Sequence, residues 1–231
     1  MPVYAIGDLH LSFSSDKSMD RWGGNWLDHE NKILKYFPGI IRDDDILFLL
    51  GDHSWGRKLE ECEADLEFIA RLPGRKILTR GNHDLFWEVR NTKKLNQRFA
   101  GRLEFLQGGY FPYGEYAFIA TKGYSDEGFD EPVHAEKMKD RELLRLQQGI
   151  LAAKKDGYEK LIVLLHYPPT DPGKQSGPFT GMAEQYHVQK VVYAHLHGPE
   201  HFNDSLTGNI RGIEYQLVSG DYLDWRPERI L

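Results

Sequence analysis

The stretch that decides the fold is Thr79-Arg80-Gly81-Asn82-His83-Asp84, and it directly follows the apolar run Ile77-Leu78. A strand that ends in glycine and then presents three polar side chains places them at the carboxyl edge of a sheet, where open α/β sheets bind ligands. Asn82 offers a neutral oxygen ligand for a metal ion, His83 a titratable group, and Asp84 a carboxylate that can orient the imidazole and raise its pKa. The alternative for the isolated stretch is a polar turn.

Four further apolar runs also end in Asp or His, which favours the functional interpretation. The all-apolar run Ile46–Leu50 is typical of a central strand that is covered on both faces, and Gly51-Asp52 follows it. Aspartate and histidine two residues apart in extended backbone point to the same side. Five predicted strand ends therefore carry ligand-type side chains: Asp8 with His10, Asp52, Asn82 with His83, His166, and His195 with His197.

The order of strands and helices predicts parallel βαβ units that feed one site. We expect Asp28 to cap a helix whose apolar stripe ends before Pro38, and Leu59–Ile69 to form a helix whose acidic residues lie on its solvated face. Further predictions are a helix that begins at Leu85, a surface helix over Glu136–Lys155 with an apolar face, an exposed loop over Lys122–Glu131, and an antiparallel strand over Ile213–Val218. We expect a single domain over residues 1–231.

Composition limits the class of function. The 231 residues are 40% hydrophobic and 28% charged, and the formal net charge of −6 disfavours a protein that binds long nucleic acid through a basic surface. Cys62 is the only cysteine, so no disulfide can form within the chain. The amino terminus has no secretory signal and no apolar run is long enough to span a bilayer, so we expect a cytoplasmic protein without a membrane partner.

The Asp, Asn and His side chains at the strand ends exceed what one metal ion requires. Two ions about 3.5–4 Å apart, bridged by a shared carboxylate, would use the set well. Mixed nitrogen and oxygen ligands suit Mn, Fe, Zn or Ni rather than calcium, and the lack of clustered cysteines argues against a structural zinc site. The alternative is that each histidine is separately satisfied in the core or in a loop.

The blocks resemble, in their order, the signature of the calcineurin-like metallophosphoesterases: Asp8-x-His10, Gly51-Asp52, Gly81-Asn82-His83-Asp84, His166 and His195-x-His197. The resemblance implies a four-layer αββα sandwich, with two mixed β-sheets flanked by helices and a two-metal centre at the strand carboxyl ends. It implies that Asp8, His10 and His197 hold the first metal, that Asn82, His166 and His195 hold the second, and that Asp52 bridges them. The chain departs from the family at Ala194, where glycine is usual, and at His53, where an apolar residue is common.

The resemblance also implies hydrolysis of a phosphomonoester or phosphodiester by in-line attack of a hydroxide that bridges the metals. His83, which the resemblance places near the metals but not on them, is the candidate general acid for the leaving oxygen, and Asp84 would keep it protonated. Arg80 is a candidate phosphate contact, because a guanidinium matches phosphate geometry and an arginine at this position contacts phosphate in the protein-phosphatase branch. Its alternative is a surface salt bridge.

The class of ester stays open, and a small-molecule phosphoester is the expected substrate. Aromatic residues in the loops, which can stack a base or an aryl group, are Trp22, Trp26, Trp55 and Tyr167. The Trp22–Trp26 segment forms either a lid over the site, which we favour, or an anchor onto the surface of the protein. His53 either contacts the site or turns away from it. The alternative function is a catalytically silent metal-binding scaffold or protein-interaction module on the same fold.

Overall fold

Two mixed β-sheets and five α-helices make up the described part of the chain, residues 1–125 and 131–231 of a computed structural model. In chain order the elements are β1 Val3–Ile6, α1 His29–Ile40, β2 Ile46–Leu50, α2 Leu59–Ala70, β3 Arg75–Thr79, α3 Thr92–Arg98, β4 Leu103–Leu106, β5 Gly109–Tyr113, β6 Tyr116–Thr121, α4 Pro132–Lys155, β7 Lys160–Leu165, α5 Pro178–Gln185, β8 Lys190–Tyr193, β9 Gly208–Ile210, β10 Ile213–Leu217 and β11 Glu228–Arg229. Short 3-10 helices lie at Met19–Trp22, Gly24–Trp26 and Val89–Asn91. This architecture confirms the predicted α/β class.

The chain divides into two compact units, and the prediction of a single domain stays a prediction. Unit 1 comprises Met1–Phe105 and Val218–Leu231, and unit 2 comprises Leu106–Leu217. Of the loop predicted over Lys122–Glu131, residues 126–130 lie outside the described residues.

Unit 1 is built on the sheet β11-β1-β2-β3-β4, whose three central strands are parallel. All five residues of β2 are buried, as its uninterrupted apolar sequence predicts for a strand covered on both faces. The core includes Ile33 and Phe37 of α1 and Leu66 and Ile69 of α2, which recur at helical spacing. Because β1, β2 and β3 run in the same direction, the residues that follow them emerge at one edge of this sheet.

Unit 2 is built on the sheet β5-β6-β7-β8-β10-β9. Strands β6, β7, β8 and β10 are parallel, and the outer strands β5 and β9 are antiparallel to their neighbours. Residues of α4 and α5, among them Leu146, Ile150 and Phe179, belong to the core of this unit. The residues that follow β7 and β8 therefore share one sheet edge.

Several predicted elements differ from the structure. Leu85–Glu88 is not helical, because Phe86 and Trp87 enter the core from a tight turn in which Leu85 N–H donates to the His83 carbonyl at 2.7 Å. Helix α1 continues through Pro38 to Ile40. In α4, Leu144 and Leu151 of the predicted apolar face are exposed. The predicted strand Ile213–Val218 is observed as β10, which pairs antiparallel with β9 and parallel with β8.

Among the helices of residues 1–125 and 131–231, none combines the length and the apolar composition that crossing a bilayer requires.

Candidate metal centre

The ligand loops of unit 1, named for the metal ligands predicted in them, follow β1 and β2 and pair with each other beyond the strand ends. The N–H of Asp8 donates to the carbonyl oxygen of Gly51 at 3.0 Å, and the N–H of His10 donates to that of Asp52 at 2.9 Å. The three predicted ligands in these loops, Asp8, His10 and Asp52, are only 0%, 2% and 1% exposed. The parallel ladder is thus extended to hold two carboxylates and an imidazole inside the protein.

All three of these residues adopt left-handed backbone conformations. The φ angles are 61° at Asp8, 43° at His10 and 53° at Asp52. A non-glycine residue in this region costs about 1–3 kcal/mol and persists only where surrounding interactions over-determine it. Such strain is concentrated at functional sites. The loops are therefore less stable locally than relaxed loops would be, and the strained backbone sets the directions of these side chains.

The loop after β3 approaches Asp52 closely, and glycine is required at position 81. A methyl group on Gly81 would overlap the carboxylate of Asp52. This approach lets the N–H of His83 donate to Asp52 Oδ1 at 2.8 Å. The other carboxylate oxygen, Oδ2, lies 3.6 Å from His10 Nε2. One oxygen of Asp52 is thus fixed by the third loop while the other faces the imidazole of the first.

Asp84 ties the second and third loops together. Its carboxylate accepts three main-chain N–H groups, from Gly81 at 2.7 Å, Asp52 at 3.0 Å and His53 at 2.9 Å. Hydrogen bonds to an ionised acceptor are about twice as strong as neutral ones. Asp84 is therefore a positioning residue for the ligand loops, and its predicted effect on the protonation of His83 stays a prediction.

His53 and Arg80 are the sequence neighbours of two of these residues, His53 of Asp52 and Arg80 of Gly81. The His53 side chain is fully buried, and its Nε2 donates to the carbonyl oxygen of Thr79 at 2.9 Å. It therefore bonds to the main chain where β3 ends. Arg80, the predicted phosphate contact, donates from Nε to the carbonyl oxygen of Trp87 at 2.6 Å. That bond fixes the guanidinium against the turn that follows the motif.

Asp65 of α2 supports the loop that carries Asp52, a role not apparent from the sequence pattern. Its carboxylate accepts the Ser54 hydroxyl and the N–H of Phe13, the latter at 2.9 Å. Burial raises the pKa of Asp65, and these two hydrogen bonds act in the opposite direction. The prediction that the acidic residues of α2 face solvent is wrong for this one. The available signal was its spacing, three residues after the buried Cys62.

In the Trp22–Trp26 segment, Trp26 is an anchor, and its ring also lies edge-on to that of His10 at a centroid distance of 5.7 Å. Trp26 is buried and makes an edge-on contact with Trp225 at a centroid distance of 5.0 Å. The indole N–H of Trp225 donates to the carbonyl oxygen of Asn25 at 2.7 Å. Trp22 is 65% exposed. Trp26 therefore anchors the segment to the core of unit 1.

The predicted ligands of unit 2 are all histidines. His166 follows β7 and is buried, whereas His195 and His197 follow β8 and are partly exposed. The N–H of Ala194 donates to the carbonyl oxygen of His166 at 3.1 Å, which continues the pairing of the two strands. His195 has a left-handed φ of 75°, and its ring lies 4.3 Å from that of Tyr167.

The donor set within each unit fits transition-metal ions. In unit 2, His195 Nδ1 and His166 Nε2 lie 3.1 Å apart. Two imidazole nitrogens bound to one zinc ion at about 2.0–2.1 Å are themselves separated by about 3 Å. In unit 1, ligand atoms of Asp8 and His10 lie within 4.8 Å of each other. Buried carboxylates are costly without a compensating cation, and mixed oxygen and nitrogen donors suit Mn, Fe, Zn or Ni.

Two curated proteins resemble part of the chain. It is 29% identical over 87 residues to the uncharacterized protein MJ1445 of Methanocaldococcus jannaschii, a match that covers 37% of this chain and 48% of that protein. It is 29% identical over 82 residues to the Gene 66 protein of Mycobacterium phage L5, which covers 36% of this chain and 39% of that protein. The chain spans less than half the length of either relative.

Two solved structures have a similar fold. A protein of unknown function from Aquifex aeolicus, AQ665, has a TM-score of 0.54 at 16% identity, and the match covers 99% of this chain and 95% of that one. The protein TT1561 of Thermus thermophilus has a TM-score of 0.53 at 14% identity, with coverage of 84% and 81%. At these identities the likeness concerns the fold alone.

The family model of the calcineurin-like phosphoesterases matches residues 1–199. The matched region includes every residue that the sequence predicts as a metal ligand, from Asp8 to His197. The chain therefore belongs to the calcineurin-like phosphoesterase family.

Proposed function

We propose that the protein is a phosphoesterase that requires two transition-metal ions and hydrolyses a small-molecule phosphomonoester or phosphodiester. The proposed ligands are Asp8, His10, Asp52, Asn82, His166, His195 and His197, with Asp52 shared by both ions. Family membership supports the class of reaction. The observation that carries the proposal is the strained, buried and hydrogen-bonded arrangement of Asp8, His10 and Asp52 in unit 1.

The metal ions, when bound, lower the pKa of coordinated water and draw charge from the phosphoryl oxygens. The residues of the chain would hold the reacting groups in position. Asp52 is held at Oδ1 by the N–H of His83, and its main-chain N–H is held by Asp84. This bridging carboxylate is thus preorganised, which avoids reorganisation during the reaction.

His83 is the proposed general acid. His83 is half-buried, and its ring centroid lies 5.6 Å from that of His10, so it is beside a proposed ligand. In the proposed step His83 gives a ring N–H proton to the leaving oxygen as the bond between phosphorus and that oxygen breaks. The neutral imidazole then regains a proton from solvent.

Arg80 is the proposed phosphate contact. A guanidinium has five N–H donors, and the bond from Nε to the Trp87 carbonyl uses one of them. The other donors can pair with phosphate oxygens, while the Trp87 bond restricts the orientation of the group. Arg80 would thereby bind the substrate and the transition state.

The test is hydrolysis of p-nitrophenyl phosphate and of bis-p-nitrophenyl phosphate by protein reconstituted with Mn²⁺, with Asp52→Ala as the control. We expect turnover on at least one ester and none in the control. The ratio of the two rates identifies a monoesterase or a diesterase. Turnover that persists in Asp52→Ala would contradict the proposed mechanism. A protein that neither binds metal nor turns over either ester would be the scaffold of the alternative hypothesis.

A further inference from the structure

We infer that Trp55 is a positioning residue that fixes the orientation of His83 and thereby sets how well the protein hydrolyses esters with poor leaving groups. The inference rests on the proposed role of His83 as general acid. The indole of Trp55 stacks on the His10 ring, with centroids 4.7 Å apart and planes at 22°. The same indole contacts the ring of His83 at 4.3 Å. One side chain thus touches both a proposed ligand and the proposed proton donor.

The main chain around Trp55 is held at successive residues. The N–H of Trp55 donates to the carbonyl oxygen of Leu11 at 2.9 Å. Before it, Ser54 donates its hydroxyl to Asp65, and after it, the N–H of Gly56 donates to Ser54 Oγ at 3.0 Å. These bonds fix the backbone that carries the indole. The position of the Trp55 backbone is therefore set by these hydrogen bonds.

The indole ring is also restrained by its neighbours. Its N–H donates to Met19 Sδ at 3.2 Å. The Lys17 ammonium lies 5.0 Å from the ring centroid, a favourable cation–π distance. Met19 is buried, whereas Lys17 is exposed. A ring held in this way can act as a rigid wall against which the His83 imidazole packs, so that its N–H points in a fixed direction.

This arrangement has a kinetic consequence. An ester with a good leaving group, such as p-nitrophenyl phosphate, needs little protonation of the departing oxygen, whereas phenyl phosphate needs it much more. Misplacing a catalytic group by about 1 Å can cost about 100-fold in rate. Loss of the Trp55 ring should therefore impair the phenyl ester selectively, and it should do so through kcat.

The experiment compares Trp55→Ala, Trp55→Phe and His83→Ala on the two phenyl esters, or on the matching diesters if the protein is a diesterase. We expect Trp55→Ala to lower kcat on the phenyl ester by about 100-fold and on the p-nitrophenyl ester by less than about tenfold. Trp55→Phe, which retains a ring, should recover most of the rate. The double variant Trp55→Ala/His83→Ala should be no slower than His83→Ala, because coupled groups are not additive.

The control is Tyr222→Ala, which removes a half-exposed ring elsewhere in the same unit. It should leave both rates unchanged. Metal content is measured for every variant, and Trp55→Leu is a second variant without a ring. Equal losses on both esters, or metal loss in step with rate, would overturn the inference. So would a rise in KM with kcat unchanged, which indicates direct stacking on the substrate.

The two proposals fail in distinguishable ways. If His83→Ala loses no more activity on the phenyl ester than on the p-nitrophenyl ester, the acid assignment itself is wrong. If His83→Ala loses more activity on the phenyl ester than on the p-nitrophenyl ester but the Trp55 variants do not, only the positioning role of Trp55 is wrong.

Discussion

The ligand-bearing loops of the two units differ in charge and in the strain they carry. Unit 1 presents two buried carboxylates and one imidazole among Asp8, His10 and Asp52, all three on left-handed backbone. Unit 2 presents only imidazoles, and of His166, His195 and His197 only His195 has a positive φ. A buried carboxylate carries a charge that needs a cation, whereas a neutral imidazole does not. The negative ligand charge proposed to balance the metal cations thus comes from unit 1. The proposed nitrogen ligands come chiefly from unit 2.

Asp52→Ala should have the largest effect, because Asp52 is the ligand proposed to be shared. We expect both ions to be lost together and turnover to fall by more than about 10⁴-fold, since the chemistry of both ions is removed. Metal content by elemental analysis after dialysis, beside activity, checks this. Asp52→Asn is the matched control for size, since it keeps one oxygen but loses the charge. One full equivalent of tightly bound metal in Asp52→Ala would contradict the bridging role.

His195→Ala in unit 2 should remove one ion and leave the other. Removing an outer partner of a metal ligand already weakens metal binding by about 10–100-fold, so loss of a direct ligand should exceed that. Titration with Mn²⁺ should find one tight site and one weak site. His187→Ala, which removes an exposed histidine of the same unit, is the control and should bind two ions. Loss of both ions in His195→Ala would contradict the proposal that His195 is a ligand of only one of them.

His83→Ala should lower the rate without lowering metal content. General acid catalysis contributes about 10²–10⁴-fold, so a loss of this size is expected. The physical reason is that the proposed ligand set is complete without the His83 ring. Parallel measurements of kcat and of bound metal check the prediction. A fall in metal occupancy in proportion to the fall in activity would make His83 a ligand and would contradict its assignment as the acid.

The strands and their polar ends could be predicted because both signals are local. An apolar run such as Ile46–Leu50 must be buried, and glycine followed by Asp or Asn marks the point where the strand stops. Strand β5 was missed because Gly109 and Pro112 are typical of turns, yet an edge strand tolerates proline. Helix α5 was missed because it is short and begins at Pro178 within a loop rich in proline and glycine.

The supports of the candidate site were harder to predict, since they depend on contacts between distant residues. Asp84 is next to His83 in sequence, which suggested that the two interact. In the fold its carboxylate faces main-chain N–H groups of Asp52 and His53, more than thirty residues away. Similarly, Trp26 lies in a polar loop but packs on Trp225 near the other end of the chain. Hydrophobic periodicity contains no information on such pairings.

The smallest expected effect concerns Asp65, which supports the Asp52 loop of unit 1 through the Ser54 hydroxyl. Burial raises the pKa of Asp65 above the ordinary 3.8, and the nearby Glu30 charge acts in the same direction. Folding therefore favours the protonated carboxyl, and this contribution to stability is fully present below about pH 3.8 and is lost as the pH rises through the raised native value.

Asp65→Asn cannot titrate, so comparing it with the native protein isolates this contribution. Near pH 4 the variant should be less stable by about 1 kcal/mol, because an amide has only one oxygen for the hydrogen bonds from Ser54 and Phe13. The difference in unfolding free energy between the native protein and the variant should narrow toward pH 7, where the native carboxylate is charged and buried. Urea unfolding of both proteins between pH 4 and pH 7 measures this difference. Glu60→Gln, which alters an exposed carboxylate on the same helix, is the control. A difference that widens with pH would mean that the hydrogen bonds to Asp65 outweigh its burial, and Asp65 would then stabilise the Asp52 loop as an anion.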